Sequence, residues 1–153
     1  MDQRIAVLLH VLSVVVWVGG MFFAYVALRP AAVQTLEPPQ RLPLWAATFE
    51  RFFPWVWLAV IALLGSGLYL IAAYGGFGAV GLHIHAMFAL GVVMMLIFAQ
   101  VYFALFRRLK TGVAAQEWKP AAAALAQIRV LIGLNLSIGI AIIFIAILGK
   151  LWV

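Results

Sequence analysis

The 153-residue sequence predicts an all-α fold, an integral membrane four-helix bundle with antiparallel spans, built as one domain over residues 1–153. Three observations carry this. Mean hydropathy is +1.19 and only 9% of the side chains are charged, where a soluble domain carries roughly 25%. The apolar residues fall into four runs of about 20 residues or more, the length a helix needs to cross the hydrocarbon layer. These runs lack period-2 alternation, so helix is the structure that satisfies every backbone polar group in lipid.

The first run, residues 5–28, is too long for the hydrophobic region of a signal peptide and is expected to stay as a span. The connection that follows, "RPAAVQTLEPPQRLPLWAATFERFFP", contains Pro30, Pro38, Pro39, Pro43 and Pro54. These prolines are expected to forbid one continuous helix, leaving Leu44 to Phe53 as an amphipathic interfacial turn or two. The second span covers residues 53–74 and ends in "YGGFGAVG", a short glycine-rich turn between antiparallel neighbours. The third covers 81–106. After it, Arg107 to Ile128 mixes basic residues with an alanine-rich stretch beyond Pro120, expected as a helical extension near the surface before the fourth span, 129–148.

The charge distribution orients the bundle. Arg29, Arg41, Arg51, Arg107, Arg108, Lys110, Lys119 and Arg129 flank the first and third connections, whereas only Arg4 and Lys150 lie at the other end. Eight against two predicts cytoplasmic first and third connections, with both termini and the glycine turn periplasmic. The expected location is the bacterial inner (cytoplasmic) membrane, as a multi-pass protein. The net charge of +6 is thus a topology signal and does not imply a nucleic-acid partner. The absence of cysteine excludes disulfides, thiolate metal sites and covalent haem attachment.

Histidine and methionine remain as metal ligands. His10 and His85 lie roughly 8 Å and 6 Å inside the outer ends of spans one and three, at 1.5 Å per residue. Ionisable groups at such depth face the bundle interior by default and mark functional sites. On span one, His10, Ser13, Trp17, Gly20 and Ala24 share one face, the expected inward one.

On span three, His83 and His85 point about 200° apart and cannot face one ligand. One face carries His83, Met87, Leu90 and Met94, a soft thioether-rich set suited to Cu(I), with Met21 or His10 as further donors. The other carries His85, Phe88, Ala89, Val92 and Leu96. There His85 and His10 would hold a haem iron from both sides. Gly65 and Gly67 on span two leave room for a flat cofactor, although close helix packing also accounts for such glycines. In the fourth span, Asn135 is expected to make an interhelical hydrogen bond, and Arg129 to serve a structural or cytoplasmic-substrate role.

The segments "LHVLSVVVWVGGMFF", "GSGLYL", "HAMFALGVVMMLIFAQVYFALFRRLK" and "IRVLIGLNLSIG", in that order, resemble the small four-helix members of the copper resistance protein D (CopD) family over most of the chain. A more distant likeness is to HemJ, a membrane protoporphyrinogen oxidase that binds haem b. His10, Trp17 and Gly20 match its histidine and Trp-x-x-Gly pattern. Its His-x-Lys is replaced by His85 and Met87, and its Asn-Glu-x-Pro by Asn135, Leu136, Ser137 and Ile138. The lost lysine and the altered ending point away from that oxidase activity, and the resemblance favours His85 over His83.

The resulting expectation is a b-type cytochrome: haem b on His10 and His85, with Ser13, Trp17, Gly20, Gly65 and Gly67 around it, acting in electron transfer or as a membrane oxidoreductase. A quinone or a redox partner protein would exchange electrons, and the small-residue faces suit a homodimer. The alternative is copper transport or tolerance through His83, Met87 and Met94, and a third reading is a scaffold subunit without cofactor.

Overall fold

In the computed structural model, which describes residues 2–149, the chain forms four long helices: α1 (Gln3–Thr35), α2 (Pro38–Ala73), α3 (Leu82–Ala114) and α4 (Trp118–Leu148). All four are long and apolar enough to cross a membrane, and no strand occurs among the described residues. Lys150, part of the charge asymmetry, lies outside the described residues.

The helices run well past the spans expected from hydropathy, and all four do so at the end bearing the first and third connections. At 1.5 Å per residue, helices of 31–36 residues reach roughly 46–54 Å, against ~30 Å of hydrocarbon. The bundle therefore projects beyond the apolar layer at its basic end, where Lys110 and Glu50 form an exposed ion pair of 2.9 Å.

The first connection corrects the expectation drawn from its prolines. Instead of broken interfacial turns, α2 is continuous from Pro38 to Ala73, with Pro43 and Pro54 inside it. Pro38 and Pro39 occupy the first turn, where a missing N–H costs nothing. The helix beyond them is held by packing. Leu42, Trp45, Phe49, Phe53 and Val56 are all buried against the bundle, and burial of such side chains, at about 1.5–3 kcal/mol each, outweighs a proline's cost of about 3 kcal/mol. Phe53 is the centre of this cluster, stacked on Phe49 at 5.0 Å and edge-on to Phe98 at 5.4 Å and Phe106 at 4.9 Å.

In α1, Pro30 follows a π-helical segment over Phe23–Leu28, in which the Arg29 N–H reaches the Ala24 carbonyl. A second π-helical segment interrupts α3 at Val101–Leu105. Hydropathy carries no signal for either.

The glycine turn is as expected. The Gly75 and Gly76 N–H groups donate to the Ala72 and Ile71 carbonyls at 3.1 and 2.8 Å, with φ of +99° and +87°, which closes α2 in a Schellman motif. The end of α3 repeats it without glycine: Gln116 takes φ 55°, and Glu117 N–H donates to the Gly112 carbonyl at 2.8 Å.

α1 packs chiefly on α2, and α3 on α4. Large apolar side chains such as Val15, Ile61, Leu96 and Ile147 are 60% or more exposed on the outer faces. In a bilayer these are the surfaces that meet lipid tails.

Candidate functional site

The inward face predicted for α1 is the observed one. Ala6, Ser13, Trp17 and Met21 are buried, and His10 is half-buried between them. At this level α2 presents "GSG". Ser66 is buried, and its Oγ lies 3.0 Å from His10 Nδ1. A methyl group on Gly67 would come within 3.3 Å of His10 Cε1, so the glycine makes the space the imidazole fills. Gly65 is exposed, with open space where a Cβ would point.

On α3 the two faces separate as helical geometry requires. His85, Ala89 and Leu96 are exposed, whereas Met87 is half-buried and Met94 is 3% exposed. The interior face is thus centred between the two expected ones: it takes Met87 and Met94 from the first and the half-buried Phe88 and Val92 from the second. His85 sits in the first turn, where its Nδ1 donates to the Gly81 carbonyl at 3.1 Å and its ring lies 5.8 Å from Phe77. His83 is half-buried. Its Cβ packs against Gly149 at the end of α4, and its buried Nδ1 has no hydrogen-bond partner.

His10 and the interior face of α3 meet in one cavity of about 310 Å³. Its lining includes His10, Trp17, Gly67, Met87, Met94 and Met95 and is otherwise almost wholly aliphatic and aromatic. The structure does not bring His10 and His85 into one cavity: Phe88 and Val92 of the His85 face belong to the lining, but His85 itself is exposed and outside it. His83 is outside it too, held at the helix terminus. Met21 lines a separate cavity of about 140 Å³ deeper in the bundle.

The remaining predicted residues have structural partners. Ser13 Oγ donates to the Leu9 carbonyl at 2.7 Å. Gly20 is a close-approach position, where a methyl group would collide with the Phe52 ring. Trp17 is buried edge-on to Phe98 at 6.1 Å, between the two cavities. Asn135 makes the expected interhelical bond, its Nδ2 donating to the Met94 carbonyl at 3.1 Å. Gly139 leaves room for the same methionine, since a methyl there would meet Met94 Cε at 3.3 Å.

The cavity's nitrogen and sulfur donors are thus one imidazole and three thioethers, with Tyr74 also in the lining, and no group of three or more His, Cys, Asp or Glu suited to a metal occurs among the described residues. Two contributors escaped the sequence reading. Ser66 carried a signal, as a hydroxyl inside an apolar run. Met95 carried none, because its neighbour Met94 already occupied the expected stripe.

The sequence model of one protein family, described as copper resistance protein D, matches residues 46–148. No curated protein matches the chain, and no solved structure does.

Proposed function

The chain belongs to the copper resistance protein D family, and from that premise we propose that it handles copper in the membrane, taking Cu(I) as cargo into the cavity of His10, Met87, Met94 and Met95. The single observation behind this reading is the meeting of three thioethers and an imidazole in one apolar space. Soft sulfur ligands select Cu(I) over harder cations. A neutral donor set also suits a monovalent ion, because the cost of burying charge climbs steeply with its magnitude. Met87, Met94 and Met95 lie within the family match, and His10 precedes it.

The positive-inside charge pattern supports a periplasmic position for the cavity in an inner membrane, and copper would then be met from that side. Of the copper donors expected from the sequence, His10, Met87 and Met94 line the cavity, whereas His83 and Met21 do not.

The test is to purify the protein in mild detergent, load it with Cu(I) without oxygen, and determine metal content, ligand type by X-ray absorption and the optical spectrum. The expected result is a colourless protein holding about one copper per chain through sulfur and nitrogen. His10→Ala or Met94→Leu should weaken binding by at least tenfold, given that even residues behind the ligands are worth about 10–100-fold. A protein purified with stoichiometric iron and a sharp reduced α band would overturn the copper reading in favour of haem b. A protein that binds neither would favour a scaffold.

A further inference from the structure

The basic end of the bundle contains a further cavity, of about 160 Å³, lined by an arginine from each of three helices: Arg29 of α1, Arg41 of α2 and Arg129 of α4. Its remaining walls are largely apolar, with Trp45 and Leu125 among them. The Arg29 guanidinium lies over the Tyr25 ring at 5.2 Å, and Arg41 Nη1 makes only a long 3.4 Å bond to the Leu36 carbonyl. Among the described residues none of the three pairs with a carboxylate; the recorded ion pair joins Lys110 and Glu50 instead. Three like charges around one depression repel each other unless an anion neutralises them.

The depth of the cavity narrows the kind of anion. Roughly 28 Å of helix separates Arg129 from Leu148 at 1.5 Å per residue, close to the ~30 Å of the hydrocarbon layer. The arginines therefore stand where headgroups begin. Guanidinium forks match phosphate oxygens geometrically, and Val33, which lines the cavity and is 56% exposed, continues the apolar wall outward.

The geometry points to a binding site for an anionic phospholipid, with its phosphate among Arg29, Arg41 and Arg129 and its acyl chains against the apolar wall. The site is at the far end of the bundle from the His10 cavity, so it stands or falls independently of the copper reading.

Native mass spectrometry of the full-length protein, titrated with phosphatidylglycerol or phosphatidylcholine, tests it. One phosphatidylglycerol should be retained where phosphatidylcholine is lost, and each arginine changed to glutamine should weaken retention about fivefold, from about 1 kcal/mol per basic residue. Arg107→Gln with Arg108→Gln, at exposed positions outside the cavity, should leave it unchanged. Arg129→Gln keeps the test clear of misfolding, because Arg129 is exposed. No effect from Arg129→Gln, an equal loss in the Arg107/Arg108 control, equal retention of the two lipids, or displacement by millimolar inorganic phosphate would each overturn the assignment.

Discussion

His10 Nδ1 and Ser66 Oγ lie 3.0 Å apart across the α1–α2 interface, a contact that ties the imidazole of α1 to the buried hydroxyl of α2. The Ser66 hydroxyl proton goes to the Ala62 carbonyl one turn back. In the tautomer with the ring hydrogen on Nδ1, the Ser66 oxygen accepts from the imidazole and Nε2 keeps its lone pair for a ligand. Hydrogen bonds of this kind orient metal-binding histidines and raise their basicity. Ser66→Ala is therefore expected to weaken Cu(I) binding about 10–100-fold while the protein stays folded. A competition titration against a Cu(I) chelator measures this, and unchanged affinity would remove Ser66 from the site.

The opposed histidines of α3 give a contrasting expectation. His85→Ala removes only a local bond to Gly81 and a ring contact with Phe77, and His83→Ala removes a group packed on Gly149. Both variants should bind Cu(I) within about twofold of the parent protein, since neither side chain lines the cavity. Copper lost on either change would relocate the site to the α3 terminus.

Topology is open to a direct test because the chain has no cysteine. Gly78, in the exposed glycine turn, and Gln116, in the exposed turn after α3, lie at opposite ends of the bundle. With the basic end cytoplasmic, a membrane-impermeant maleimide should label Gly78→Cys in spheroplasts but reach Gln116→Cys only after lysis. The reverse pattern would invert the orientation.

Gly112 marks a close approach of α3 to α4. A methyl group there would come to 2.9 Å from Ala121 Cβ and 3.1 Å from the backbone of Ala121, and backbone cannot turn aside as a side chain can. Gly112→Val should destabilise the protein by about 1–3 kcal/mol, read as a lower apparent melting temperature in detergent. An unchanged transition would mean that the two helices are less closely held.

Gln116 has the opposite character. It adopts the left-handed conformation, φ 55°, that closes α3, which costs a residue with a side chain about 1–2 kcal/mol. Gln116→Gly removes that strain and should raise the melting temperature by the equivalent of about 1 kcal/mol, with copper binding unaffected. A loss of stability would show that the side chain contributes more than the backbone strain costs.

Much of the fold was legible in the amino-acid sequence because lipid leaves the backbone few choices. The four runs, the glycine turn and the inward face of α1 follow from hydropathy, turn chemistry and helical period. The continuity of α2 through Pro43 and Pro54 was hidden, since a proline's local cost is visible in the sequence but the offsetting burial of Trp45, Phe49 and Phe53 is not. The projecting helix ends escaped for a related reason, as mixed composition there looks like connection rather than helix.

For the site, the sequence by itself determined that His10 faces inward, that His83 and His85 point apart, and that Met87 and Met94 share a face, all consequences of 3.6 residues per turn. Which face of α3 turns toward α1 depends on the rotation of one helix against its neighbours. Only packing sets that rotation, through contacts such as Asn135 to the Met94 carbonyl and the space left beside Gly139. The tertiary structure thus decided that His10 meets methionines rather than His85, and that three arginines distant in sequence share one cavity.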